Sequence, residues 1–182
     1  MKAELEKNYK DIRFVSLDFS DHFKTAMEEL DVQIKELLKD DPQLCLCASS
    51  LGGFMAMLLS IRYNLKVALV NPCLYPSKFV RDNNYLGTVL KNFDTGHEFK
   101  IEESDLEYIE SLEALLPKFS LKNASVFLQA GDEVLDYTYA LKFFMRGGVG
   151  GFSLKDGGSH GYDDFEKEVC RIVEFFRKDD AV

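Results

Sequence analysis

The sequence predicts an α/β domain in which a mainly parallel sheet of about five strands lies between layers of helices. Three observations point there. Short apolar runs such as Lys66-Val67-Ala68-Leu69-Val70 and Ser125-Val126-Phe127-Leu128 have strand length. They alternate with longer segments whose apolar residues recur at helical spacing. Neither an internal repeat nor a low-complexity linker interrupts that alternation, so the right-handed crossovers of a parallel sheet are the simplest connection. The 182 residues, 46% of them hydrophobic, suffice for one domain over 1–182 with a sizeable core.

Taken in order, residues 1–9 have helical character with Leu5 as their one strong apolar anchor, and Ile12-Arg13-Phe14-Val15-Ser16-Leu17 turns to the alternation of a strand. Ser20 or Asp21 is placed to cap a helix over 21–39, where Phe23, Met27, Leu30, Ile34, Leu37 and Leu38 define one face. Asp40-Asp41-Pro42 stops that helix. A strand at 43–48, a helix from Leu51 to Tyr63 and a strand at 66–71 follow, the last closed by Asn71-Pro72. The segment 74–103 departs from the pattern: Tyr75-Pro76, Asn83-Asn84, Gly87 and Asp94-Thr95-Gly96 mark an irregular excursion. It suits a lid or pocket rim, or equally a surface connection with one or two short helices. Ser104 and Asp105 open a helix that Pro117 ends, 125–130 is a strand, and Asp136 caps a helix through Phe144. Gly147 to Gly151 lead to a strand at 152–154, and a helix over 162–178 closes the chain.

Charge and composition limit the partners. Lys plus Arg number 22 against 31 Asp plus Glu, a net charge of -9, which disfavours nucleic acid and anionic membrane and favours small-molecule chemistry. The opening Met1 to Lys10 is charged and lacks the apolar core of a signal peptide, and no apolar run is long enough to span a bilayer. The expected location is the cytoplasm. Four cysteines agree with it: Cys45 and Cys47 share one strand face, while Cys73 and Cys170 stand apart without a C-x-x-C pattern. They read as reduced packing residues rather than metal ligands.

The stretch with chemical character is Cys45-Leu46-Cys47-Ala48-Ser49-Ser50-Leu51-Gly52-Gly53-Phe54. A nucleophile elbow needs small residues two before and two after its serine, because the strand-to-helix turn brings two backbones close together. Ser50 has Ala48 and Gly52 there, whereas Ser49 has Cys47 and Leu51. The competing reading is that both serines cap the following helix. A phosphate-binding loop is disfavoured by the missing Walker lysine. In an open parallel sheet, functional groups gather at the carboxyl ends of strands. Ser50 follows the second predicted strand, Asp132 the fourth and His160 the fifth, the chain order of an α/β-hydrolase triad. His160 is the expected base, since His22 starts a helix and His97 lies in the excursion. Asp132 is the expected acid, with Glu133 left open and Asp136 more suited to a cap. The backbone N–H of Leu51 is one expected oxyanion donor. No glycine-rich turn before the elbow supplies a second.

With these residues in place, the chain resembles the YqiA/YcfP-like esterases of bacteria, within the α/β-hydrolase superfamily. The likeness runs from about residue 10 to the end. It is carried by Ser49-Ser50-Leu51-Gly52-Gly53, Val70-Asn71-Pro72, Ala130-Gly131-Asp132-Glu133-Val134-Leu135-Asp136-Tyr137, and Gly157-Gly158-Ser159-His160 with Phe165-Glu166. The resemblance implies a three-layer α/β-hydrolase-type domain, Ser50, Asp132 and His160 as the triad, acyl ester or thioester substrates, and no metal or organic cofactor. Members of that family open with a strand ending in His-Gly-Phe, whose loop supplies the other oxyanion donor. Residues 1–9 resemble only the end of the helix that follows it, so the expectation is an amino-terminally shortened chain, with room for a homodimer through the gap. The leading functional expectation is a serine esterase or thioesterase. Its alternative is a catalytically impaired α/β-hydrolase-like binding protein, or a shortened form lacking its oxyanion loop.

Overall fold

Two strands form the centre of the sheet because their sequences are apolar on both faces. In the computed structural model, which describes residues 1–92 and 95–178, β2 (Lys66–Pro72) and β5 (Ala124–Gln129) are buried along almost their whole length. Such near-continuous burial is what a parallel strand covered by helices on both sides requires. β1 (Cys45–Ser49) pairs with β2, and β6 (Gly151–Lys155) with β5, giving a parallel sheet of order β1-β2-β5-β6.

Alternate side chains then point to opposite layers. On one face, Val67, Leu69, Val126 and Leu128 pack against α2 (Phe23–Asp40), α3 (Ser50–Tyr63), α5 (Glu103–Glu113) and α6 (Tyr137–Phe144). On the other, Ala68, Val70 and Phe127 meet Tyr162 and Ile172, the latter from α7 (Val169–Arg177), whose Val169 and Val173 also bury Leu5 of α1 (Lys2–Asn8). α3 is buried along most of its length and ends where Asn64 takes a left-handed conformation, its N–H donating to the Ser60 carbonyl. Phe54 on that helix is fully buried; truncating such a ring to alanine costs about 3–5 kcal/mol.

The start and end of several helices differ from expectation. α2 begins at Phe23 behind His22, with no side-chain cap from Ser20 or Asp21, because Ser20 accepts instead from the N–H of His22 at 3.2 Å. α5 begins one residue before Ser104, where Asp105 accepts from the Glu102 N–H at 2.9 Å, and a short 3₁₀ turn holding Pro117 follows it. The closing helix is shorter than expected, a 3₁₀ turn at Phe165–Glu168 leading into α7. Within the excursion, α4 (Pro76–Asp82) precedes a small antiparallel pair, β3 (Val89–Lys91) with β4 (Glu98–Lys100). Glu113 of α5 fastens α4 by accepting from the Ser77 N–H and hydroxyl at 2.8 and 2.7 Å. Asp94 of the same excursion lies outside the described residues.

The expectation of a fifth strand at 12–17 is corrected. The segment runs without strand structure from Ile12 to Ser20, with Phe14 and Val15 more than a third exposed. Alternation supplies one apolar face, but a strand is completed by a ladder of hydrogen bonds to a neighbour. Among the described residues β1 has such a ladder only with β2. Its outer edge instead borders a groove of about 1010 Å³, whose lining includes Val15, Leu17, Ile34, Leu46, Met55 and Ile172.

Candidate active site

The chain turns from β1 into α3 at Ser50, whose φ of 49° is a conformation that non-glycine residues rarely adopt. Backbone strain of this kind persists only where the surroundings hold it. Here the Ser50 carbonyl accepts from the Cys73 N–H at 2.9 Å, and Ser50 bridges to Pro72 at the end of β2. Ser49 sits at the N-cap of α3, yet its side chain makes no capping bond. The small residue that the turn most needs is Gly53. A Cβ there would come within 2.8 Å of the Pro72 Cβ, while one at Gly52 would meet Ala48 at an ordinary 3.8 Å. The motif's spacing drew attention to Gly52; the Gly52-Gly53 pair was the available sign of Gly53.

Beyond the ends of β5 and β6, Asp132 and His160 face Ser50. His160 Nε2 lies 3.0 Å from Ser50 Oγ, and its Nδ1 is 2.9 Å from each oxygen of Asp132. Asp132 Oδ1 also accepts from the N–H groups of Val134 and Leu135, both at 2.9 Å, and its side chain is only 1% exposed. A carboxylate arranged as an acceptor places the ring proton on Nδ1, which leaves Nε2 to accept from the serine hydroxyl. The Leu51 N–H, in the first turn of α3, has no intrahelical acceptor.

The other acidic residues of this loop are occupied differently. Glu133 Oε2 accepts from the backbone N–H of His160 at 2.9 Å, not from its ring, and that bond holds its carboxyl below the ordinary range. Asp136 caps α6 by accepting from the Thr138 N–H at 2.9 Å. His22 is the N-cap of α2, and the exposed His97 lies 3.7 Å from Asp21. Two further residues touch the histidine loop and were read only as parts of strands: Asn71 and Gln129, both buried. A glutamine closing the apolar run Val126-Phe127-Leu128 was the sequence sign, since a buried polar side chain demands partners.

The described residues include no helix long and apolar enough to cross a membrane. The chain matches the model of the family described as "Uncharacterised protein family (UPF0227)" over residues 1–177, and it belongs to that family. Solved structures place its fold among the α/β-hydrolases. A putative hydrolase from Agrobacterium vitis S4 superimposes with a TM-score of 0.60 at 13% identity, over 88% of this chain and 75% of that one. Est1E from Butyrivibrio proteoclasticus with ferulic acid bound gives 0.56 at 16% identity, over 82% and 67%. The monoacylglycerol lipase of Paleococcus ferrophilus gives 0.57 at 15% identity, over 82% and 74%.

Proposed function

We propose that this chain is a serine hydrolase that cleaves carboxylic esters or thioesters through an acyl-enzyme on Ser50. The observation that carries the reading is the 3.0 Å approach of Ser50 Oγ to His160 Nε2, with Asp132 on the far ring nitrogen. A hydroxyl is a poor nucleophile until a base takes its proton, and a neutral imidazole oriented by a carboxylate is such a base. The fold shared with Est1E and with a monoacylglycerol lipase favours an ester substrate.

In this mechanism Ser50 Oγ attacks the acyl carbon as its proton passes to Nε2. Asp132 holds the Nδ1–H and stabilises the imidazolium. The Leu51 N–H donates to the carbonyl oxygen as charge develops on it. Collapse of the tetrahedral intermediate breaks the bond to the alcohol or thiol, which leaves with the imidazolium proton. Water then repeats the sequence on the acyl-enzyme, giving up a proton to Nε2, and Ser50 is released with the carboxylic acid.

The test is covalent labelling by a fluorophosphonate together with p-nitrophenyl acetate hydrolysis. Ser50→Ala is expected to abolish labelling and lower kcat by about 10⁶, the scale for a nucleophilic serine, with an unchanged circular dichroism spectrum. Ser49→Ala retains both. Label that persists in Ser50→Ala overturns the proposal.

A further inference from the structure

The loop that bears His160 belongs to neither sheet nor helix, so its backbone polar groups need partners from elsewhere. It twists through positive φ at Gly157, Gly158, Tyr162 and Asp164. Two buried carboxamides at the carboxyl ends of the central strands supply most of those partners. Asn71 of β2 donates from Nδ2 to the carbonyls of Ser159 and His160, both at 3.1 Å, while its Oδ1 accepts from the Gln129 N–H at 3.0 Å. Gln129 of β5 accepts on Oε1 from the N–H groups of Ser159 and Asp163 at 3.0 and 2.8 Å, and donates from Nε2 to the Asp163 carbonyl at 3.0 Å.

Each carboxamide uses both its donor and acceptor ends, and Asn71 is tied to Gln129 through the latter's backbone N–H. Asn71 itself is only 2% exposed and takes a φ of 41°, so a side chain that earned no specific contact would be costly there. The loop lies so close to Gln129 that a Cβ at Gly158 would fall 2.1 Å from its Oε1. The acid loop is bound into the same unit, with the Gly131 N–H donating to the Gly157 carbonyl at 2.8 Å.

We propose that Asn71 and Gln129 are positioning residues for His160, fixing the backbone on either side of it so that Nε2 stays within reach of Ser50 Oγ. This rests on the reading of Ser50 as the nucleophile. The carboxamides touch no reacting atom; they act through the loop. Rigid placement matters because a displacement of the base by about 1 Å can cost about 10² in rate.

Asn71→Asp keeps the shape and the acceptor but removes both donors to the loop. Gln129→Leu removes all three of its bonds, and Gln129→Glu restores the two acceptor bonds. Measured on the full chain, Asn71→Asp and Gln129→Leu are expected to lower kcat for p-nitrophenyl acetate about 10²-fold with KM within about twofold. The rate of fluorophosphonate labelling at Ser50 falls in the same ratio, while its final stoichiometry per chain is unchanged. Gln129→Glu, which keeps the acceptor bonds but sets an oxygen against the Asp163 carbonyl, recovers part of the loss, and amide exchange at Ser159, His160 and Asp163 quickens in the impaired variants. Stoichiometry counts competent molecules, so a variant that merely unfolds loses labelled fraction rather than labelling rate. Should Gln129→Leu fail to fold, Asn71→Asp carries the same comparison. Labelling of Ser50 in Asn71→Asp at the parental rate overturns the positioning role while leaving the nucleophile intact; a parent chain that does not label at Ser50 overturns both.

Discussion

The two sides of the sheet are secured in different ways. At the carboxyl ends of β2 and β5, buried side chains hold the histidine loop through bonds to backbone groups of Ser159, His160 and Asp163. Along the outer edge of β1 there is a groove of about 1010 Å³ whose lining includes a segment without strand structure. Ser50 stands at the junction, since it follows β1 directly yet bridges to Pro72 of β2. The lesson is that Ser50 gets its rigidity from the turn's contacts with β2 rather than from a fully paired strand. His160 and Asp132, by contrast, are anchored to the centre of the sheet.

Among the changes that test this contrast, the largest expected effect breaks the secured side at its charge. Asp132→Asn is expected to lower kcat by about 10⁴, because an amide neither stabilises the imidazolium nor enforces the same tautomer. Asp136→Asn, at the cap of α6, changes kcat by less than about threefold, as its role is confined to a helix terminus. Steady-state ester hydrolysis by the two variants checks this, and equal small losses would remove Asp132 from the role.

The seam between the two regions is tested by neighbouring glycines. Gly53→Ala forces a methyl to 2.8 Å from the Pro72 Cβ. It is expected to destabilise by about 1–3 kcal/mol, less the ~1 kcal/mol that alanine returns in helix propensity. Gly52→Ala meets only Ala48 at 3.8 Å, and should be neutral or stabilising by up to about 1 kcal/mol. Urea unfolding of both variants measures the difference, and effects of the same sign would show that the elbow is not closed by contact with β2.

Away from the sheet ends, α2 is tied to α3 by an ionic cluster. Asp31 accepts from Lys35 at 2.6 Å and from Arg62 and Tyr63. Burial alone would raise its carboxyl, but those bonds outweigh it and hold the group well below the ordinary carboxylate range. A depressed folded value means that the stabilisation is complete above the unfolded value near ~4 and is lost as pH falls toward the folded one. Asp31→Asn is expected to cost about 1–2 kcal/mol at pH 7, discounted because Lys35 and Arg62 are more than half exposed. Parent and variant stabilities should converge as pH falls below about 4; a constant gap in urea midpoints down the pH series would refute this.

The smallest expected effect is one of rate alone. Amides of β1 are expected to exchange faster than those of β2 and β5, since opening from an unpaired edge disturbs less of the core. Native-state hydrogen exchange resolves the strands, and equal protection across all three would remove the distinction between the regions.

What could be read from the sequence follows the same division. β2 and β5 were legible because burial on both faces leaves an unbroken apolar run, and α2 because Phe23, Met27, Leu30 and Ile34 keep one face. Ser50, Asp132 and His160 were singled out because chain order reports which strand end each residue follows. Order carries no distances, so it favoured Asp132 while leaving Glu133 open, whereas hydrogen bonding assigns the ring to one and the backbone N–H to the other. The segment 12–17 was misread because its alternation describes a face and says nothing of a neighbour. Gln129 escaped notice because its partners lie 30 and 34 residues away in the chain.

The thiols of β1 turn its edge into a chemical clock. Burial pushes Cys45 up to about 11 and Cys47 up to about 12, so at neutral pH both are held as the protonated, unreactive form. Both thiols are partly exposed, and fuller access of water to the strand would bring them toward an ordinary thiol with the larger thiolate fraction that an alkylating reagent captures. Cys170 is exposed and Cys73 is buried, so one chain carries its own fast and slow references. The rate at which iodoacetamide consumes Cys45 and Cys47 between those limits reports how readily reagent and water reach the edge, with no residue changed.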